Sequence, residues 1–111
     1  MANRYRGETT ATLDGRVWTL CLTLGALAEL EQAFQVDDMT ALVDRFAEGR
    51  LSARDAVAII GAGLRGAGND VDDAQVARMS TDGGATGFAA IVADLLTATF
   101  GAGEGEPATP F

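Results

Sequence analysis

The chain has 111 residues, of which 48% are hydrophobic and 22% charged, a composition typical of one soluble globular domain. It contains no histidine, no lysine and a single cysteine, Cys21, and its formal net charge is −8. These counts exclude catalytic triads, histidine-based metal sites and internal disulfides, and the negative charge disfavours direct binding to nucleic acid or to an anionic membrane. We therefore expect a protein that is not an enzyme and that uses no cofactor and no metal.

Neither a membrane segment nor a secretory signal is expected. The longest apolar stretch, Phe88–Phe100, is interrupted by Asp94 and is shorter than the roughly 18 residues that a membrane span requires. The first residues, MANRYRGETT, carry charge but lack the apolar region of a signal peptide. The expected location is therefore cytoplasmic.

The first predicted element is a β-hairpin. Asp14-Gly15 can adopt the positive φ angles of a two-residue turn, so Glu8–Leu13 and Arg16–Thr23 are predicted to be antiparallel strands. Alternation places one apolar set on a single face of the second strand: Trp18, Leu20, Leu22 and Leu24. This face must pack on helices or be extended by a partner strand, because a lone hairpin is only marginally stable in water.

Helical periodicity begins directly after the hairpin. The spacing of Leu27, Leu30 and Phe34 predicts a helix over Gly25–Gln35. Asp38 is a suitable N-cap for a second helix, which Gly49 would end. The predicted apolar face of that helix consists of Met39, Leu42, Val43 and Phe46.

Two further helices have capping-box signals at their starts. Ser52, with Asp55 three residues later, begins the third helix, and the glycine-rich stretch 66–69 ends it. The apolar stripe of this helix is predicted to be Ala53, Val57, Ile60 and Leu64. Asp72 and Gln75 form a similar pattern at the start of a short fourth helix, predicted over Asp73–Met79.

The last predicted helix has the broadest apolar stripe. The stripe consists of Phe88, Ile91, Val92, Leu95, Leu96, Thr99 and Phe100, and Gly101 ends the helix. Residues 102–111 lack periodicity and are rich in Gly, Pro and Glu, so they are predicted to form a flexible tail. The predicted fold is α+β: an N-terminal β-hairpin followed by a compact bundle of four to five short helices, in a single domain over residues 1–101.

One motif has the form of a dinucleotide-binding fingerprint. Gly61, Gly63 and Gly66 have the GxGxxG spacing, but that fingerprint needs a strand before the glycines and a helix that starts at them. Here Ser52 begins a helix before the glycines, and the sequence after them breaks a helix. We interpret Gly61 and Gly63 as lying in or near the end of a helix, where they let another backbone approach closely.

The acidic stretch NDVDD at 69–73 has a superficial likeness to a calcium loop. Counting from Asp70, an EF-hand would need glycine at the sixth position and glutamate at the twelfth, where this chain has Gln75 and Thr81. We interpret the stretch as helix capping and a solvated turn.

Two parts of the chain resemble small tail proteins of gene transfer agents and related phages. The first runs from Leu13-Asp14-Gly15-Arg16 through Trp18 and continues over 22–31, LTLGALAELE. The second comprises Arg45-Phe46, the stretch GRLSARD at 49–55 and GAGLRG at 61–66. The resemblance covers roughly 7 to 101 and consists of ordinary residues in order, without a catalytic signature.

The resemblance implies one of two roles in tail morphogenesis. A tail assembly chaperone would bind the tape-measure protein until tube subunits polymerise around it, whereas a structural subunit of the tail tube would stay in the finished virion. We favour the chaperone, because a tube subunit normally needs a sizeable sheet and only two strands are predicted. A dinucleotide-binding protein is the third alternative.

The apolar stripes are the surfaces through which such a protein would act. The expected partner is the tape-measure protein, followed by the tail tube protein, and self-association is left open. The residues expected to contact a partner are Trp18, Leu22, Leu27, Leu30, Phe34, Phe88, Ile91 and Leu95. Periodicity alone does not distinguish a stripe that faces the core from one that faces a partner.

Overall fold

The secondary structure begins with a hairpin and continues as helices. The computed structural model describes residues 7–48 and 51–100. Within these residues the elements are β1 (Glu8–Leu13), β2 (Arg16–Cys21), α1 (Leu24–Phe34), α2 (Met39–Ala47), α3 (Ala53–Gly66), α4 (Asp73–Ala77) and α5 (Gly84–Phe100). The predicted α+β fold, a hairpin followed by a bundle of short helices, is confirmed.

The hairpin turn has the conformation that its sequence predicts. Asp14 and Gly15 have φ angles of 55° and 75°, and they connect strands whose register pairs Leu13 with Arg16. One face of the hairpin is buried against the helices through Thr9, Ala11, Leu13 and Leu20. The opposite face is open, and Val17 on it is 69% exposed.

Strand β2 ends two residues earlier than predicted. The Thr23 side chain accepts a hydrogen bond from the Ala26 amide at 3.2 Å and so acts as the N-cap of α1. Helix α1 therefore begins at Leu24, which is 75% exposed and does not continue the apolar face of the strand.

The helix starts follow their capping signals. Asp38 caps α2, and both predicted capping boxes are formed, at Ser52 for α3 and at Asp72 for α4. Helix α4 ends at Ala77 rather than Met79, because Arg78 is already the C-cap. The predicted stops at Gly49 and Gly101 and the predicted tail at 102–111 lie outside the described residues.

The core is centred on helix α3. This helix packs against β2, α1, α4 and α5, and its residues 59–64 are all buried. Ile59 and Ala62 are buried although neither belongs to the predicted stripe, and Ala53, which does belong to it, is exposed. The largest fully buried side chains of the protein are Leu13, Leu20, Leu30, Leu42, Ile59, Ile60, Leu64 and Leu95.

Candidate interaction surfaces

The three glycines of the GxGxxG motif act in packing. They lie within α3, eight or more residues after its first residue, whereas a phosphate-binding loop needs free amides at a helix start. A Cβ at Gly63 would meet the Leu95 side chain at 2.7 Å, and a Cβ at Gly66 would overlap the backbone carbonyl of Cys21. The predicted approach of another backbone is wrong at Gly61 and Gly63, where the close neighbours are side chains; a backbone approaches closely at Gly66 instead.

Arg65 joins three helices. Its guanidinium donates hydrogen bonds to Glu29 of α1 at 2.6 Å, to Asp73 of α4 at 2.9 Å and to the Val71 carbonyl at 3.2 Å. The hydrogen bond to Glu29, with a further one to Asp73, raises the pKa of Arg65 above its already high ordinary value. A side chain at Gly61 would overlap the Asp73 carboxylate, so the glycine leaves room for this ion pair.

The acidic side chains do not gather into a metal site. Within residues 7–48 and 51–100, no three Asp, Glu or Cys side chains come together in a group that could hold a metal ion. Asp72 instead serves as a helix cap, and Asp73 is bound to Arg65. The interpretation of the 69–73 stretch as capping therefore agrees with the contacts of these two aspartates.

The residues predicted to contact a partner divide into two groups. Leu22, Leu27, Leu30 and Leu95 are buried in the hydrophobic core. The structure thus gives these four leucines a packing role within the chain. The other four are only partly buried, and they are Trp18, Phe34, Phe88 and Ile91.

Two of the partly buried aromatic residues also have partners within the fold. The Trp18 indole Nε1–H donates to the Leu13 carbonyl at 3.2 Å, and the Arg16 guanidinium lies 4.1 Å from the centre of the ring system. Phe34 packs edge-to-face on Phe46 with ring centroids 5.6 Å apart. Phe88 is different, because it lines an open groove.

An apolar groove lies between α3, α4 and α5 and has a volume of about 510 Å³. We call it the groove; its lining consists of Leu51, Ser52, Ala53, Ala56, Val57, Ile60, Val76, Ala77, Met79, Ala85, Phe88 and Ala89. Leu51 is among the exposed large hydrophobic residues of the chain, and Ala85 and Ala89 are also exposed. The groove thus presents apolar side chains to the outside.

A second apolar surface lies on helix α2. Met39 and Val43 are 46% and 37% exposed, and with Ala47 they follow one another at intervals of four residues, so they share one side of the helix. We call these three residues the α2 ridge. Of the apolar face predicted for this helix, only Leu42 is buried, and Phe46 is partly buried.

Most of the groove residues were not predicted as a site. Ala53, Val57 and Ile60 were assigned to a helix stripe and Phe88 to another, but the sequence gives no sign that these stripes meet around an opening. No local signal locates such an opening, because it forms only where separate helices pack against one another.

Comparisons with known proteins give one match. No curated protein and no solved structure was found to match the chain. Among the described residues, no helix is both long and apolar enough to span a membrane. A family model for "Phage tail tube protein, GTA-gp10" matches residues 6–102. Since this match covers most of the 111 residues, and agrees with the resemblance to gene transfer agent tail proteins, the chain belongs to this family of phage-like tail proteins.

Proposed function

We propose that this protein is a structural subunit of the tail tube of a phage-like particle. The observation that carries the proposal is the match of residues 6–102 to the tail tube family. The role requires no reaction and no cofactor. It requires surfaces that bind other copies of the chain or other tail proteins. The groove and the α2 ridge support the proposal, because both present apolar side chains to the outside.

The proposal reverses the preference drawn from the sequence. The tail assembly chaperone was favoured because few strands were predicted, but the family description names the tube. A tube subunit does not have to supply a large sheet by itself, because strands of neighbouring subunits can pair with the edges of a hairpin. Within residues 7–48 and 51–100 the sheet consists of β1 and β2, so each strand has an outer edge that no other strand of this part of the chain covers.

The tail assembly chaperone is the second candidate, and one observation favours it. Within residues 7–48 and 51–100 the sheet has only two strands, and helices make up most of the fold. Such a protein could bind a helical segment of the tape-measure protein along an apolar groove. In this role it would leave before the particle is complete.

The composition of purified particles distinguishes the two candidates. Quantitative mass spectrometry of particles is expected to find this chain in many copies, comparable with the other repeated tail proteins. A chain that is absent from particles, yet keeps co-expressed tape-measure protein soluble, would overturn the tube assignment in favour of the chaperone. A control expression without this chain establishes whether the tape-measure protein is insoluble alone.

A further inference from the structure

The α2 ridge is turned away from the rest of its own molecule. Arg45 lies two positions after Val43, about 200° around the helix, and its guanidinium binds Asp55 of α3 at 3.2 Å. The side of α2 that carries Arg45 therefore faces α3, and the side that carries Val43 faces away from it. The ridge cannot fill the groove of its own chain, which is lined by α3, α4 and α5.

The surroundings of the α2 ridge are acidic. Asp37 and Asp38 precede Met39, and Asp44 and Glu48 lie within the helix and at its end. All four are exposed. The single arginine of this segment is already bound to Asp55, so the segment carries a net negative charge around its apolar residues.

Two positively charged side chains flank the lining of the groove. Among the described arginines, Arg65 and Arg45 are bound to carboxylates and Arg16 lies over Trp18. Arg54 and Arg78 are exposed and make no ion pair within the described part of the chain. Both adjoin the groove in sequence, because Arg54 follows the lining residue Ala53 and Arg78 lies between Ala77 and Met79. Asp55, which precedes the lining residue Ala56, is already paired with Arg45.

We propose that helix α2 of one copy docks, through Met39 and Val43, in the groove of a second copy. The apolar ridge covers the apolar lining, and the acidic residues of α2 approach Arg54 and Arg78. This inference rests on the proposed function, because it names the contact by which tube subunits would bind one another. The two surfaces are different parts of the chain, so the first copy keeps a free groove, the second keeps a free ridge, and the contact can repeat.

A pair of variants with one blocked surface each tests the proposal. Val43→Glu puts a charge on the ridge, and Ala89→Glu fills part of the groove with a negative side chain. Both positions are exposed and glutamate is a good helix former, so the fold should be kept. The matched controls are Val43→Leu, which keeps the ridge apolar, and Ala93→Glu, which lies exposed on α5 outside the groove lining.

The measurement is the assembly state by sedimentation velocity over a concentration series. The wild-type chain and both controls are expected to form species larger than dimers. Each blocked variant alone should need at least a roughly tenfold higher concentration to associate. An equimolar mixture of the two should form a dimer and grow no further, because only one ridge and one groove remain intact in each pair.

Three results would overturn the proposal. The first is a wild-type chain that stays monomeric throughout, and the second is a mixture that stays monomeric while the wild type assembles. The third is loss of assembly when residues 102–111 alone are removed, since this result would mean that this segment, and not the α2 ridge, occupies the groove of the second copy. The composition of particles distinguishes a wrong docking mode from a wrong tube assignment. If the Val43→Glu variant enters particles in normal copy number, the docking mode is wrong and the subunit role stands.

Discussion

Gly66 of α3 lies directly against the backbone carbonyl of Cys21 at the end of β2. The contact joins the central helix to the hairpin without any side chain between them. Since a backbone carbonyl cannot move aside as a flexible side chain can, position 66 accepts only glycine without a shift of the strand or the helix.

Gly66→Ala is therefore expected to destabilise the fold. The gain in helix propensity, up to about 1 kcal/mol, is outweighed by the overlap with Cys21, and we expect a net loss of about 1–3 kcal/mol in the free energy of unfolding. Denaturant unfolding followed by circular dichroism measures it. Gly25→Ala in α1 is the control, because a Cβ there meets only Thr23 Oγ1 at 3.9 Å, and it should be neutral or stabilising. Equal stability of the two variants would contradict the packing at Gly66.

Arg65→Met is expected to weaken the link between α1, α3 and α4. The arginine and its partners are 30%, 47% and 52% exposed, so water screens both ion pairs and the loss should be about 1 kcal/mol. The difference from the wild type should shrink in 1 M salt. Arg54→Met is the control in the same helix, since Arg54 has no such partner in the described structure, and it should change stability by less than about 0.5 kcal/mol. A loss that does not depend on salt would assign the effect to packing of the arginine stem.

Leu95→Asp is expected to unfold the protein or to cost at least about 4 kcal/mol. Leu95 is fully buried and packs closely against Gly63 of α3. An aspartate at position 95 therefore places a charge in the core without a partner. Far-ultraviolet circular dichroism and the thermal midpoint report the effect. Ala93→Asp, exposed on the same helix, should lose less than about 1 kcal/mol. A stable Leu95→Asp variant would mean that α5 does not pack on α3 as described.

Asp14→Ala is expected to cost about 1–2 kcal/mol, and Asp14→Asn considerably less. Asp14 has a φ angle of 55°, which alanine disfavours, and its carboxylate accepts hydrogen bonds from the Ser80 amide at 2.9 Å and hydroxyl at 3.2 Å. Asparagine keeps both the left-handed preference and an oxygen acceptor. Thermal unfolding of the two variants compares them directly. If asparagine is as costly as alanine, the negative charge matters more than the turn.

Local signals in the sequence determined most of the fold. Asp14-Gly15 predicted the turn, and Ser52 and Asp72 predicted their helix starts, because capping and turn preferences depend on a few neighbouring residues. The predicted end of β2 is wrong because two local signals conflict. The alternation of apolar residues continues to Leu24, but Thr23 is the N-cap of α1, so the helix begins where the alternation predicts a strand.

The candidate surfaces could not be predicted in the same way. Helical spacing shows that Leu30 and Met39 lie on apolar faces but not what covers them; Leu30 is buried in the core, whereas Met39 is 46% exposed. Which stripe is covered depends on tertiary packing, and much of that packing involves α3, which contacts β2, α1, α4 and α5. The groove arises only where α3, α4 and α5 meet, so no single segment predicts it.

The packing of β1 against α5 brings the two ends of the described chain together, and Gly7 lies near the Ala98 carbonyl. During translation β1 is synthesised before α5, so the face of β1 that packs on α5 stays uncovered until α5 has been made. The nascent hairpin therefore exposes apolar strand surface while the helices between β1 and α5 are being synthesised. The packing of the hairpin is completed only when α5 is available to cover β1.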